Sequence, residues 1–221
     1  MRFHQLSAAA ALAVLAAGAQ AQGLTQGFDN VAALPAGWLQ VNNSAAPAGT
    51  SWSQGNSAVF PAFSGATNSF IAANFLATGA ATGGISSWLV LPALTLDSTS
   101  AISFRVRAAG DGFLDTVQVR FSAGTGADVG ATATSVGTFT SLLGTYASSI
   151  DNGWISQSYG LGLGASTIGR LAFRYVVADV ANAGNYLGID SLVVTAIPEP
   201  ASVALLGLGI AGLIARRRIS A

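Results

Sequence analysis

From Ile102 onward, several runs of the chain carry apolar side chains at every second residue. Ile102, Phe104 and Val106 alternate with Ser103, Arg105 and Arg107, and Val117, Val119 and Phe121 alternate with Gln118, Arg120 and Ser122. Leu171, Phe173, Tyr175 and Val177 repeat the rhythm, and Leu187, Ile189, Ser191 and Val193 set it for the last strand. A period of two is the mark of a strand with one face buried. The same reading predicts earlier strands at Trp38–Asn42, Ser69–Phe75 and Ser87–Leu91, and a further one at Trp154–Leu161. Glycine- and serine-rich stretches separate the runs, at Ala108–Gly112, Gly124–Gly130 and Gly160–Gly169. No stretch between residues 22 and 196 has a helical period. Many short strands joined by glycine turns predict an all-β sandwich or barrel, with Trp38, Trp52, Trp88 and Trp154 as core anchors.

The two ends break this pattern. Arg2, the apolar stretch Ala8–Ala17 and the A-x-A site Ala19-Gln20-Ala21 follow one another in the order of a signal peptide. Residues 1–21 are therefore expected to direct export, with cleavage after Ala21. Near the other end, Pro198-Glu199-Pro200 precedes an apolar run, Ala201–Ala215, and then Arg216-Arg217-Arg218. The prolines bar a helix from entering the run from upstream. Fifteen residues of helix span about 22 Å against a hydrocarbon core of about 30 Å, so a short membrane helix is expected, with its arginines snorkelling on the cytoplasmic side. Gly207, Gly209 and Gly212 spell G-x-G-x-x-G inside this run, but no βαβ unit surrounds them. Three segments result: 1–21, a domain over 22–196, and a tail over 197–221.

The tail, read as Ile197-Pro198-Glu199-Pro200, then Ala201 to Gly209, then the three arginines, closely resembles the PEP-CTERM sorting signal of Gram-negative bacteria. The resemblance implies transient insertion in the inner membrane and recognition by an exosortase-type processing enzyme. Delivery to the cell surface or an exopolysaccharide matrix would follow.

Charge adds an exclusion. Only 8% of the 221 residues are charged, and lysine is absent. Between Gln22 and Ile197 five arginines face eight aspartates, a net charge of −3. A mildly acidic domain without a basic cluster does not suit nucleic acid. Arg105, Arg107, Arg120, Arg170 and Arg174 fall on outward strand positions and are expected to share one sheet face. There they either bind acidic polysaccharide or pair with nearby aspartates.

The body resembles the choice-of-anchor J domain, related to cleaved-adhesin and MAM-like jelly rolls. The matching residues open with Phe28-Asp29-Asn30-Val31, Leu34-Pro35-Ala36-Gly37-Trp38 and Asn42-Asn43-Ser44. They continue through Ser51-Trp52, Phe70–Phe75 and Trp88–Pro92, and close with Arg170–Tyr175 and Gly188-Ile189-Asp190-Ser191-Leu192. The resemblance implies a jelly-roll β-sandwich and no particular ligand.

Candidate chemistry is sparse. His4 is the only histidine and Glu199 the only glutamate, and there is no cysteine. Residues 22–196 thus lack His, Cys, Lys and Glu, which removes histidine triads, Schiff-base lysines and thiolate or histidine zinc sites. Asp111 and Asp115 are the nearest carboxylate pair for glycan hydrolysis, or else belong to a polar turn. Asp29 and Asp190 lie in the first and last strand regions. If those strands are neighbours, the two carboxylates and adjacent carbonyls form a candidate structural calcium site. Asn42-Asn43-Ser44 reads as a turn. The chain is expected to be a non-enzymatic surface or matrix protein, with a carbohydrate-binding or adhesive module. The alternatives are a secreted glycan hydrolase using paired aspartates and a purely structural matrix protein.

Overall fold

The computed structural model describes residues 23–196, and Gly23–Ala196 forms one compact unit. The expected signal segment, with Ala19 and Ala21, lies outside the described residues. So does the sorting tail, with Pro198, Glu199, Pro200 and Arg216, Arg217 and Arg218. Among the described residues no helix is long and apolar enough to cross a membrane.

The described chain forms twelve strands: β1 (Leu24–Gln26), β2 (Leu39–Asn42), β3 (Ser53–Gln54), β4 (Ile71–Asn74), β5 (Ile85–Val90), β6 (Leu94–Leu96), β7 (Ala101–Ala108), β8 (Asp111–Ala123), β9 (Ser141–Ile150), β10 (Ile155–Gly160), β11 (Thr167–Val177) and β12 (Tyr186–Thr195). They build two six-stranded antiparallel sheets. The first runs β10-β7-β12-β4-β3, with β1 also on β12; the second runs β2-β5-β11-β8-β9, with β6 also on β11. The fold is a jelly-roll sandwich.

Alternation places the core. Ile102, Phe104 and Val106 from β7 and Leu187 and Ile189 from β12 meet Val117, Val119, Leu171, Phe173 and Tyr175 from the second sheet, all buried. Phe104 stands edge-on to Phe173 across the sheets, 4.8 Å between ring centres. Burying each such large side chain contributes about 1.5–3 kcal/mol.

In β12 the expected rhythm changes phase. It opposes Asp190 to Arg105 but Val193 to Ser103, so the ladder contains a bulge. Ser191 occupies it with φ of +50°. Past the bulge, Leu192 and Val194 point into the core, while Ser191 and Val193 turn outward. A one-residue insertion inverts strand parity, which a simple period of two does not anticipate.

Two loops cover the outer faces. Residues 124–140 fold over the second sheet, where Val129 and Phe139 bury Trp88, Val90 and Ala172. Residues 55–69 fold over the first sheet, where Phe60 and Phe70 pack with Ala72 and Tyr186. Trp38 and Trp52 anchor the central core as expected, but Trp88 and Trp154 belong to these outer layers.

Candidate functional site

The first and last strands are neighbours: β1 pairs with β12 in antiparallel register, Leu24 opposite Val194. After β1 the chain turns sharply at Phe28, whose φ is +56° and whose buried ring stands edge-on to Trp38. Asp29 follows and is exposed. With Thr25, Ser64, Gly65 and Ser191 it lines an open cleft of about 290 Å³. Its neighbours make the local hydrogen bonds, Asn30 accepting from Ala32 N and Gln54 from Val31 N.

Asp190 lies fully buried beneath the same cleft. Its Oδ2 accepts from Phe63 N (2.9 Å) and Ser64 N (3.0 Å), and its Oδ1 from Ser191 N and Ser191 Oγ. Burial pushes its pKa up, and these donors partly oppose the rise. The two aspartates of the calcium expectation thus address one loop, at Ser64–Gly65. A Cβ on Gly65 would sit 3.2 Å from Asp29 Oδ1, so glycine keeps that approach open. Their suitability for calcium is unequal. Asp29 presents an open carboxylate, whereas Asp190 has its lone pairs engaged by four donors. Among the described residues no three His, Cys, Asp or Glu side chains cluster, so most of calcium's six to eight oxygens would have to be carbonyls, hydroxyls or water.

The loop held by Asp190 carries aromatic side chains onto the outer face of the first sheet. Phe60 packs on Phe70 (5.2 Å) and meets Trp154 and Tyr186 edge-on (5.5 and 5.4 Å). Trp154 Nε1 donates to Pro61 O at 2.9 Å, and Asn56 N donates to the Tyr186 hydroxyl at 2.7 Å. Arg107 lies over Phe60 and forms a two-pronged ion pair with Asp151, which holds the Asp151 carboxyl below its ordinary range. Arg105 lies over Phe63, 4.3 Å from the ring centre, and Phe63 remains 47% exposed. Arg105 is opposite Ser156, and Ser103 is opposite Ser158, with both β10 serines exposed. Among the described residues the Arg105 side chain has neither an ion pair nor a hydrogen bond, Arg107–Asp151 being the ion pair of this face.

The five arginines do not share a face. Arg105 and Arg107 are on the first sheet; Arg120, Arg170 and Arg174 are on the second. The latter three bond mainly to carbonyls rather than aspartates. Arg170 donates to Thr125, Gly37 and Leu91 carbonyls, Arg120 to that of Phe139, and Arg174 to that of Ala133. They fasten loops to the sheet. Burial, with Arg120 nearby, lowers the pKa of Arg174 to about 10. Strand parity identifies an outward residue but not which of two sheets its strand joins.

Asp111 and Asp115 both fall in β8, not in a turn. Asp115 is fully buried and accepts from Tyr175 Oη (2.6 Å), Asn185 N and Tyr186 N. Asp111 is exposed and accepts from Asn185 Nδ2. The buried carboxylate ties β8 to β11 and β12, and its pKa is raised by burial. Asn42 donates to the Ala48 and Ala77 carbonyls and accepts from Ser44 N, so Asn42-Asn43-Ser44 forms a bonded turn. Phe63 went unnoticed in the sequence, since it sits in an aperiodic loop. Its signal is an aromatic flanked by Pro61 and Gly65.

Beyond the described strands, residues 196–218 match the PEP-CTERM protein-sorting motif. The chain carries a PEP-CTERM sorting signal. That motif implies export, a membrane-anchored precursor and recognition by an exosortase-type processing enzyme. Among solved structures, the fold is similar to the K1 cleaved adhesin domain of Lys-gingipain from Porphyromonas gingivalis W83. Identity is 22% and the TM-score 0.58, over 79% of this chain and 98% of that one. The K3 domain of the same protein is similar at 19% identity and a TM-score of 0.51, over 78% and 98%. These likenesses concern the fold. No curated protein matches the chain in sequence.

Proposed function

We propose that this protein is a non-catalytic surface or matrix module of a Gram-negative bacterium that binds acidic exopolysaccharide on the outer face of its first sheet. The observation that carries the reading is Arg105. Its guanidinium stacks on the half-exposed Phe63 ring, beside the exposed Ser156, with no carboxylate partner among the described residues. A planar cation held over an aromatic ring suits a carboxylated or sulfated sugar. The exposed part of Phe63 offers an apolar surface for a sugar ring, and the serines offer hydroxyl contacts. Asp190 acts as a positioning residue, because it holds the backbone of Phe63.

The absence of His, Cys, Lys and Glu from residues 22–196 supports a non-catalytic role, as does the burial of Asp115. The test is retention of the recombinant 22–196 domain on immobilised acidic and neutral exopolysaccharides. Retention on the acidic polymer, weakened about tenfold or more in Arg105→Gln and in Phe63→Ala, is the expected result. Equal retention by wild type and both variants would refute the assignment. New reducing ends would instead support the hydrolase alternative.

A further inference from the structure

The chain crosses from β9 in the second sheet to β10 in the first through a loop that begins Asp151-Asn152-Gly153. Among the asparagines of the described residues, Asn152 alone precedes a glycine. In such a pair the backbone nitrogen of the second residue can attack the asparagine Cγ and close a succinimide ring. That attack needs an uncrowded nitrogen and a backbone free to bend, and a residue without a Cβ supplies both. The loop meets these requirements. The Asn152 side chain is exposed, and Gly153 has a φ of +69° with open space where a Cβ would stand. Gly153 N lies outside the strand ladders and donates to Asp151 Oδ1 at 2.8 Å, so freeing it separates no strands. The Asn152 Nδ2, which would leave, is held loosely, donating to Ser148 Oγ at 3.4 Å. Other amides are held more firmly: Asn42, Asn43 and Asn182 donate at 2.7–3.0 Å. Asn68 is exposed, but the residue after it is Ser69, whose side chain is buried and whose N donates to Ala66 O at 2.8 Å.

We propose that Asn152 is a site of spontaneous covalent modification, converted to aspartate and isoaspartate through a succinimide closed by Gly153 N. Gly153 N bonds to Asn152 Cγ and the Cγ–Nδ2 bond breaks. Nδ2 leaves as ammonia, with the proton that Gly153 N gives up. Water then adds to one of the two imide carbonyls and reopens the ring. Addition at Cγ leaves aspartate in an ordinary main chain. Addition at the other carbonyl routes the main chain through Cβ, which lengthens the crossing between the sheets. Either product adds one negative charge to the domain, next in sequence to the Asp151 that pairs with Arg107. Water is the only co-reactant, so the conversion needs no enzyme and no nucleotide and proceeds after export.

The test incubates the folded 22–196 domain, which holds the whole core described above, in mildly alkaline buffer and maps its peptides by mass over time. The Asn152 peptide should gain the mass difference between an amide and an acid and split into two chromatographic peaks, aspartate and isoaspartate. The Asn68 peptide should stay unchanged. A synthetic peptide spanning residues 149–156 gives the rate of the unrestrained sequence, and the domain should convert within about tenfold of it. Gly153→Ala should slow the conversion severalfold, and Asn152→Gln should abolish it on the same timescale. Both positions lie in the loop between β9 and β10, and circular dichroism melts check that the variants fold. An Asn152 that keeps its amide in the domain while the peptide converts overturns the proposal, as does a conversion that Gly153→Ala leaves equally fast.

Discussion

Two buried aspartates show how one side-chain type serves two structural tasks. Asp190 holds a loop and Asp115 holds three strands, and neither forms an ion pair in the described residues. Burial raises both pKa values from 3.8. A carboxyl with a raised folded-state pKa contributes stability below its unfolded value, and that stability is lost as pH rises through the folded value. The difference in Tm between wild type and Asp115→Asn isolates this contribution. It is expected to shift against wild type as pH rises from about 4 toward neutrality, because the variant cannot ionise. A pH-independent difference would contradict the assignment.

Asp29 and Asp190 predict different responses to calcium, which we propose binds at Asp29. Excess calcium should raise the Tm of the domain relative to chelator, and Asp29→Asn should lose the rise. Asp190→Asn should cost at least about 2 kcal/mol with or without calcium, because it disturbs four hydrogen bonds to a buried carboxylate. Equal wild-type melting temperatures in calcium and in chelator would reject the ion.

At the scale of elements, alternation made most long strands legible. β7, β10 and β12 appear within two residues of where the reading placed them, as do β2, β4 and β5, whereas β8 and β11 begin earlier, at Asp111 and Thr167, inside stretches read as turns. β9 was hidden because its burial pattern is irregular: it is an edge strand, exposed over much of its length, and its ladder slips near Leu143. β1, β3 and β6 were hidden by length, since two or three residues cannot show a period. The site was legible in part. Arg105 was marked as outward and Asp29 and Asp190 as a pair of interest. Phe63, the division of the arginines between sheets and the bulge at Ser191 depend on long-range packing. The closure of β9 on β10 has its own test. Gly144→Ala sets a methyl group into the Tyr159 ring and should destabilise the domain by about 1–3 kcal/mol. Adding Tyr159→Leu should return part of that loss, so the pair is non-additive. Strictly additive costs would show that the two side chains do not compete for space.

At the scale of the whole molecule, topology and sorting fit together. Because β1 and β12 pair, the chain enters and leaves the sandwich through adjacent strands, and the core lies wholly between them. Trimming both ends should therefore leave the fold intact: the 22–196 domain should melt within a few degrees of the uncut chain. In the native host, we propose that cleavage after the A-x-A site leaves Gln22 as the mature N-terminus. We propose that processing then removes the tail, whose residues 196–218 match the PEP-CTERM motif, near Pro198–Pro200. Until then Arg216, Arg217 and Arg218 should keep the end of the chain cytoplasmic, since arginines beside a short apolar span resist transfer. Replacing all three with glutamine should leave the precursor missorted, although the domain upstream is untouched. N-terminal sequencing and intact-mass measurement of the extracellular protein test both cuts. A mature chain beginning at Met1 would refute signal cleavage, and one ending at Ala221 would refute tail removal.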